Sequence, residues 1–281
     1  MTVRLGRADL HIHTRASDGT ASVREILDAV VQRGDLDLIA ITDHERIDAA
    51  HAARAMAADL GVRFEVVVGE EITTRGGHLL GLFLKTPVRP LRSLRWTIAA
   101  IHDQGGIAIP AHPLVPYPLC AQGWVLRGLL ADPDPRFHPD GLETFNPTAV
   151  GRYWHGRVVQ FAIDNHLAPV GNSDAHTKQQ IGRCYTTFPG RTADDLRAAI
   201  SGRQTHAHGD FHGTTAQLDQ LRRQLRKYGE DVRAEVTGRI RKDGTGRDHG
   251  YPGGRARPPR YEPDARTAAR AGREPEAGIE A

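Results

Sequence analysis

Nine side chains able to bind a metal ion lie within the first 176 residues of the chain. All are imidazoles or carboxylates, and most follow an apolar run that reads as a β-strand. In chain order they are His11, His13, Asp18, His44, Glu71, His78, His112, Asp174 and His176. Nitrogen and oxygen ligands without thiolate suit manganese, iron or zinc. Ligands at the ends of successive strands are what a barrel with one metal-binding mouth would require.

Two short motifs open this series. His11 and His13 are two residues apart in a predicted strand, so both imidazoles point to one face and can hold one ion together. An HxH pair alone is weak evidence, because a polar pair at a strand edge has the same pattern. Residues 17–19 (SDG) form a turn shortly afterwards, and residues 42–44 (TDH) follow the next strand. The combination favours the metal interpretation.

The elements that must position these residues alternate between strands and helices, which predicts a parallel sheet. Strands are predicted at 7–13, 36–42, 64–69, 78–84, 107–110, 141–145 and 168–172. Helices are predicted from Ser22 to Gly34, at 46–60, 91–104 and 149–165, and from Thr192 to Ser201. A barrel is favoured over an open doubly wound sheet, because no glycine-rich turn follows the first strand. The Pro-rich segment 113–140 is predicted to be an irregular loop over the mouth.

Composition limits the class of protein. The chain has 281 residues with 39% hydrophobic content and a mean hydropathy of −0.45, which suits one large domain with additional segments. No apolar run approaches the roughly 20 residues of a membrane helix, and no signal-peptide core precedes the first strand. Cys120 and Cys184 are far apart, which argues against a disulfide scaffold or a thiolate zinc site. We therefore expect a cytoplasmic protein without a membrane partner.

Charge is unevenly distributed along the chain. Residues 213–281 hold 15 Lys and Arg against 11 Asp and Glu, whereas residues 1–212 hold 22 and 23. This predicts a nearly neutral metal-binding domain at 1–212 and a basic tail at 213–281. The tail has few apolar residues, so we expect it to be largely disordered, with one short helix around 217–229.

Six motifs occur in a fixed order: DLHIHT…SDGT, ITDH, GEEI, GHLLGLF, AHP and GNSDAH. Together they resemble the PHP (polymerase and histidinol phosphatase) superfamily over roughly residues 7–209. The resemblance implies an α/β fold, a distorted (β/α)7 TIM-like barrel. It also implies a cluster of two or three divalent metal ions and, in the enzymes of the family, hydrolysis of phosphoesters.

The resemblance further implies a role for each of the nine positions. His11 and His13 match the first pair of ligands, which share one metal with Asp174. Glu71 matches the carboxylate that bridges two ions, because it is the acidic residue two after the glycine of the GEE sequence. Glu70 is the competing candidate for that bridging position, although its spacing fits the family less well.

The remaining ligands match a second and a third metal. His78 and His112 complete the second site, and His44 and His176 match ligands of the third. The last ligand of the third site is a histidine in many relatives and is Asp18 here. This departure predicts a weaker or labile ion at the third site, while the SDG variant itself is common in one branch of the family.

These residue types agree with phosphoester hydrolysis. A bridging carboxylate holds two ions at the separation of about 3.5–4 Å that two-metal phosphoesterases use, where water loses a proton near neutral pH and attacks the phosphorus. A third ion, near Asp18, His44 and His176, could stabilise the leaving alkoxide, so these residues are predicted to be catalytic. Arg15 and Arg183 lie beside ligand motifs and are predicted to meet the phosphate.

Further polar residues are expected around the cluster. Asp9 and Asp43 could orient neighbouring imidazoles, and they could equally cap strand ends. Lys178 lies beside the last ligand motif and is a third candidate for phosphate binding. Asn146 and Asn172 follow predicted strands and could line the mouth.

Several functions remain open. The favoured one is hydrolysis of a small phosphorylated metabolite or nucleotide, and the alternative is an exonuclease on short RNA or DNA ends, with the basic tail supplying backbone affinity. Relatives with the SDG motif often carry an inserted helical domain, which the 33 residues between His78 and His112 do not contain. A non-catalytic binding module would have a degraded ligand set, and none of the nine positions is apolar. The sequence indicates no oligomeric state.

Overall fold

The computed structural model describes residues 4–116 and 119–211, which form an α/β fold. The predicted tail, its short helix and its disorder lie outside these residues. The strands are β1 (Leu5–Ile12), β2 (Leu38–Ile41), β3 (Glu65–Thr74), β4 (Gly77–Leu82), β5 (Ile107–Pro110), β6 (Gly141–Phe145), β7 (Ala168–Gly171), β8 (Cys184–Pro189) and β9 (His206–Gly209). The helices are α1 (Val23–Arg33), α2 (Asp48–Leu60), α3 (Leu94–His102), α4 (Gly123–Leu130), α5 (Ala149–Asp164) and α6 (Ala193–Ser201).

Seven strands form one curled sheet in the order β5-β4-β3-β2-β1-β8-β9, and β6 and β7 form a separate parallel pair. The two sheets approach each other at both sides. The amide of Asp140, just before β6, donates to the carbonyl of Ala108 in β5 at 2.9 Å. Ala175, shortly after β7, forms a parallel bridge with Ile12 at the end of β1. The seven-stranded sheet thus forms a curled half-barrel, and β6 and β7 lie along the same interior.

The predicted α/β class is confirmed, but the expectation of an all-parallel sheet is wrong. β1, β2 and β3 are parallel neighbours, whereas β3, β4 and β5 pair antiparallel. β3 and β4 are joined by a tight turn without a helix, and Gly77, the first residue of β4 after that turn, has φ 119°, which glycine tolerates. β8 and β9 were not predicted as strands. β8 runs antiparallel to β1, and β9 runs antiparallel to β8.

The prediction that residues 113–140 form an irregular loop is wrong for part of the segment. Helix α4 buries Leu126 and Leu129, and a 3₁₀ turn at Pro135–Phe137 buries Phe137. The guanidinium of Arg95 lies 3.3 Å from the centre of the Phe137 ring. The helix escaped prediction because its eight residues include two glycines, which disfavour helices, and lie among prolines.

The predicted helix boundaries follow the capping residues. Ser22 and Glu25 form a capping box at the start of α1, and Gly34 ends it at φ 70°. Thr192 and Asp195 form a second capping box at the start of α6. Within the described ranges, no helix is both long and apolar enough to cross a membrane.

The hydrophobic core lies on both faces of the curled sheet. One cluster packs between the sheet and the helices, and the other fills the interior. The register between β1 and β2 shifts between Asp9 and Ile12, which is a β-bulge or irregularity. Leu10 consequently packs in the interior cluster and Ile12 in the outer one, although two residues separate them. Such a shift re-aims side chains, and here it accompanies the inward placement of His11.

Candidate metal centre

The nine predicted ligands converge where the parallel strands β1, β2 and β3 end. Eight of them fall into three overlapping groups, and the potential ligand atoms within each group lie within 4.8 Å of one another. The groups are His11, His13 and Asp174; His44, Glu71 and His78; and His13, Asp18, His44 and His176. The ninth, His112, joins through Glu71, whose Oε1 lies 3.1 Å from its Nε2. Residues from seven separate segments thus form one cluster.

Glu71 lies at the middle of this cluster and is only 1% exposed. Its Oε2 lies 3.2 Å from Nε2 of His11 and 3.2 Å from Nε2 of His13. Its Oε1 lies 2.8 Å from Nδ1 of His78 and 3.1 Å from Nε2 of His112. Nδ1 of His44 lies slightly farther from Oε2, at 3.4 Å. Each oxygen of the carboxylate thus has its own pair of nearest imidazoles, which is the arrangement that a bridging ligand needs.

The competing carboxylate, Glu70, leaves β3 on the opposite face. Its Oε2 accepts a hydrogen bond from the amide of Val88 at 2.8 Å, and its Oε1 has no partner among the described residues. Burial raises the pKa of Glu70 to about 8. Because side chains alternate along a strand, only one of two neighbouring glutamates can face the imidazoles, and that one is Glu71.

Asp18 joins a further set of imidazoles at the edge of the cluster. Its Oδ2 lies 2.8 Å from Nε2 of His176, and its Oδ1 lies 3.4 Å from Nδ1 of His13 and 3.8 Å from Nε2 of His44. Gly19 lets the turn pack directly on the backbone of His13, where a Cβ would overlap the carbonyl. The Asp18 and His44 side chains are 32% and 28% exposed, so the cluster opens to solvent on this side.

Two predicted ligands have backbone conformations that non-glycine residues seldom adopt. His112 has φ 31° and Asp174 has φ 50°. Neighbouring groups hold both in place: the amide of His112 donates to Glu143 at 2.7 Å, and the side-chain amide of Asn146 donates to Asp174 at 3.3 Å. Such conformations persist only where the surroundings over-determine them, and they concentrate at functional sites.

Three ring nitrogens suit a metal ion better than a hydrogen bond. Nε2 of His11, Nε2 of His13 and Nδ1 of His78 are buried and have no hydrogen-bond partner in the described part of the chain. A buried polar atom without a partner costs about 1–3 kcal/mol. All three nitrogens face oxygens of Glu71, and a divalent ion between them would bind both at about 2.0–2.2 Å. The donor set therefore fits divalent metal ions.

Burial and charge oppose each other in the cluster. Burial lowers the pKa of His11, but the carboxylates of Asp174, Glu71 and Glu143 raise it more, to well above its ordinary value. The same balance raises the pKa of His13 to about 10. Burial raises the pKa of Glu71, but the imidazoles lower it further, to well below its ordinary value. Protons on imidazoles thus balance the carboxylates, and a metal ion that binds must displace protons.

Comparisons with known proteins agree on one family. A family model described as PHP-associated matches residues 152–205. A solved two-domain protein from Bacteroides vulgatus, containing a predicted PHP-like metal-dependent phosphoesterase, superposes with a TM-score of 0.60 at 20% identity. That match covers 80% of this chain and 70% of the other. An uncharacterized protein from Methanocaldococcus jannaschii is 36% identical over 151 residues, which is 50% of this chain and 81% of that protein. The chain belongs to the PHP superfamily.

Two further relatives of this PHP chain have a named activity. A 5′-3′ exoribonuclease from Haemophilus influenzae is 36% identical over 36% of the PHP chain and 37% of its own length. A 3′,5′-nucleoside bisphosphate phosphatase from Chromobacterium violaceum is 33% identical over 32% of the PHP chain and 34% of its own length. The match therefore spans little more than a third of either relative.

The sequence analysis missed one buried residue of the PHP centre, Glu143 in β6. Its Oε1 accepts from Nδ1 of His11 at 3.0 Å and from the amide group of Asn172 at 2.9 Å. Its Oε2 accepts from the backbone of His112 at 2.7 Å and from the amide group of Asn146 at 3.2 Å. Asn146 and Asn172 thus support Glu143 and are themselves buried. The available signal was a glutamate within the apolar strand GLETF.

The two carboxylates expected to orient imidazoles hold loops instead. Asp43 accepts from the amide of Thr14 at 2.8 Å, from its hydroxyl at 2.7 Å and from the hydroxyl of Ser17 at 2.5 Å. Asp9 accepts from the amide of Ser173 at 3.0 Å and from its hydroxyl at 2.6 Å. The alternative of strand-end capping therefore describes both residues.

The cations predicted to meet the phosphate lie in different places. Arg15 pairs with Glu25 at 3.0 Å at the start of α1. Arg183 lines a separate surface groove with Arg7 and Arg33, and none of the nine predicted ligands lines that groove. Lys178 is exposed.

Proposed function

We propose that the chain is a metal-dependent phosphoesterase that hydrolyses a small phosphorylated metabolite or nucleotide. The observation that carries this proposal is the position of Glu71, whose two oxygens face separate pairs of imidazoles. Membership of the PHP superfamily and the similarity to a phosphatase and an exoribonuclease support a hydrolase acting on phosphoesters.

The proposed centre holds two or three divalent ions. The first would be bound by His11, His13 and Asp174, and the second by His78 and His112, with Glu71 between them. The third would be bound by Asp18, His44 and His176. Manganese, iron and zinc suit these donors. We expect the third ion to be the most labile, because the side chains of Asp18 and His44 are the more exposed ones.

Bound divalent ions would lower the pKa of water and offset negative charge on the phosphoryl oxygens. The chain itself supplies orientation. His11 donates its Nδ1 proton to Glu143, which leaves the lone pair of Nε2 directed at Glu71 and Asp174. His176 lies with Nδ1 2.9 Å from the carbonyl of Asp174, which directs its Nε2 to the open side. Substrate would enter there, beside Asp18, where solvent reaches the cluster.

Release of the aryl alcohol from an aryl phosphate and from an aryl phosphodiester tests the proposal. The protein is treated with a chelator and assayed after addition of Mn²⁺, Fe²⁺ or Zn²⁺. Asp174→Asn should abolish the metal-dependent rate, whereas Asp132→Asn, which changes an acid paired with Arg95 at the surface, should retain it. Full activity in Asp174→Asn, or a wild-type rate independent of metal, would refute the assignment.

A nuclease with the same metal chemistry is the second candidate. It is favoured by the similarity to the exoribonuclease and by the 15 basic residues after position 212. Lys and Arg contacts to a phosphate backbone weaken steeply with salt. Incubation with 5′-labelled oligonucleotides beside mononucleotides separates the candidates: a nuclease would prefer the oligonucleotides and lose that preference at high salt, and a phosphatase would not.

A further inference from the structure

Between Glu71 and Asp103 the sequence contains five basic residues and no acidic one. Three of the five line one pocket with Pro90 and Leu91, and this pocket has a volume of about 330 Å³. We call Arg75, Arg89 and Arg92 together with these two residues the arginine pocket. Within the described ranges, no carboxylate forms an ion pair with any of its three guanidinium groups. Three neighbouring cations without a counter-ion indicate a site for an anion.

The backbone holds the arginine pocket in a defined shape. The amide of Leu91 donates to the carbonyl of Thr73 at 2.7 Å, and the amide of Arg75 donates to the carbonyl of Arg92 at 2.9 Å. Nε of Arg75 donates to the carbonyl of Leu91 at 3.0 Å. Leu91 has φ 58°, a left-handed conformation that the surrounding hydrogen bonds maintain. The segment that carries two of the arginines is thus fixed to the end of β3.

Short stretches of chain connect the arginine pocket to the metal centre. Arg75 is four residues after Glu71 in an extended chain, so their Cα atoms are at most about 13 Å apart. Thr73 lies between them in the chain, and its hydroxyl is 3.4 Å from Nε2 of His78. The backbone amide of Thr73 donates to the carboxylate of Glu45 at 2.9 Å. Glu45 directly follows His44, which lies at the solvent-facing edge of the cluster.

Several other arginines differ from these three because they pair with acids. Arg7 and Arg33 both pair with Asp35, at 3.0 Å and 2.7 Å. Arg95 pairs with Asp132 at 3.0 Å. In the arginine pocket the hydrogen bonding is instead incomplete, since Nε of Arg92 is buried without a partner in the described residues.

We propose that the arginine pocket binds a second phosphate group of the substrate, while the phosphate that is cleaved lies at the metal centre. Guanidinium groups match phosphate through paired, charge-assisted hydrogen bonds. This inference rests on the proposed phosphoesterase function and narrows it to substrates with two phosphate groups on one molecule. A nucleoside bisphosphate and the end of a short oligonucleotide share that chemistry.

Adenosine 5′-monophosphate and adenosine 3′,5′-bisphosphate form a matched pair that differs by the second phosphate. The test measures kcat and KM for both, and calorimetric binding of both, with metal-loaded wild type and with the double variant Arg89→Gln/Arg92→Gln. The matched control is Arg95→Gln, which removes a charge from the same segment outside the pocket. Thermal unfolding establishes that each variant is folded. If the double variant does not fold, the single variant Arg89→Gln replaces it, because Arg89 is exposed.

We expect the wild type to prefer the bisphosphate and the double variant to lose that preference. Loss of two charge-assisted contacts should raise KM for the bisphosphate about ten- to a hundredfold, with kcat and the monophosphate kinetics within about twofold. Arg95→Gln should match the wild type. Equal binding of the two nucleotides by the wild type, or an equal loss for both in the double variant, overturns the proposal.

Binding separates this proposal from the proposed function. The wild type could bind the bisphosphate more tightly than the monophosphate and hydrolyse neither. That result would support the arginine pocket as a phosphate site and refute the proposed phosphoesterase function. A 5′-phosphorylated trinucleotide is the third ligand and distinguishes the two sources of the second phosphate. A larger effect of the double variant on the trinucleotide than on the bisphosphate assigns the pocket to a phosphodiester, and the reverse assigns it to a bisphosphate.

Discussion

The interior of the curled sheet has two halves that share the same strands. The apolar half contains Leu38, Val67 and Leu80, which are buried and belong to one cluster of apolar side chains. The metal-binding half contains Glu71 and His78, which are also buried. Nδ1 of His78 has no hydrogen-bond partner among the described residues. The apolar half contributes stability through burial alone. The metal-binding half is stable only when protons or metal ions balance its carboxylates.

The histidines of the molecule differ in the same way. His102, at the end of α3, has both ring nitrogens near oxygen acceptors: Nδ1 lies 2.8 Å from the carbonyl of Arg136 and Nε2 lies 2.9 Å from Asp140. His11 has one nitrogen near Glu143 and the other without a hydrogen-bond partner. Both nitrogens of His102 are engaged in hydrogen bonds, whereas Nε2 of His11 makes none and can exchange its proton for a metal ion.

The largest expected effect comes from Glu71→Gln in the metal-binding half. A charge that offsets the metal ions is worth several kcal/mol in the transition state, so activity should fall by on the order of a thousandfold. Metal content, measured by elemental analysis of purified protein, should fall as well. Glu70→Gln is the control, because Glu70 faces the opposite side and its substitute can still accept from Val88. Equal metal content in both variants would contradict the comparison.

Leu80→Ala probes the apolar half. Leu80 is fully buried in the interior cluster, and such truncations reduce the free energy of unfolding by about 2–5 kcal/mol. Denaturant unfolding measures this loss, and Leu5→Ala, at an exposed position, should change it little. The metal bound per folded molecule should stay at the wild-type level. Loss of metal from folded Leu80→Ala would mean that the two halves are not separable.

Glu143→Gln should have an intermediate effect, because this residue orients ligands without being one. Each oxygen of the Glu143 carboxylate accepts two hydrogen bonds. Glutamine has an NH₂ group in place of one oxygen, and this group would face two donors that it cannot accept from. Metal affinity, measured by competition with a chelator, should fall about 10–100-fold, as for other residues that support metal ligands. Glu65→Gln at the surface is the control. An unchanged metal affinity would show that Glu143 does not orient the metal ligands.

The smallest effect concerns His102 and depends on pH. The hydrogen bond to Asp140 raises the pKa of His102 above its ordinary value of 6.5, so the interaction stabilises the fold below pH 6.5 and is lost as pH rises through the raised pKa. His102→Gln should therefore reduce the free energy of unfolding more at pH 5.5 than at pH 9, by about 1 kcal/mol or less because solvent screens this pair. A larger reduction at pH 9 would show that the sign is wrong.

The two halves were not equally predictable from the sequence. Most of the nine predicted ligands are polar residues that follow apolar runs, and in the structure eight of the nine lie in three overlapping groups. The boundaries of α1 and α6 follow from local capping pairs, which need no tertiary information. Glu143 stands alone in its strand and belongs to no motif, so only the three-dimensional contacts reveal what it orients.

The direction and register of strands escaped the sequence for physical reasons. The hairpin between β3 and β4 depends on the left-handed φ of Gly77, and glycine alone does not specify a turn type. The register shift between Asp9 and Ile12 depends on pairing with β2. The arginine pocket likewise combines Arg75 with residues 89–92, which are distant in sequence and are joined by hydrogen bonds such as that from the amide of Leu91 to the carbonyl of Thr73.

Anomalous diffraction from crystals of the metal-loaded protein, recorded at the manganese, iron and zinc absorption edges, tests the central claim most directly. The account predicts at least two peaks, one on each side of the Glu71 carboxylate, within about 2.0–2.2 Å of its oxygens and of the neighbouring imidazole nitrogens. Absence of peaks from this cluster, or peaks bound only by other residues such as His206 and His208, would contradict it.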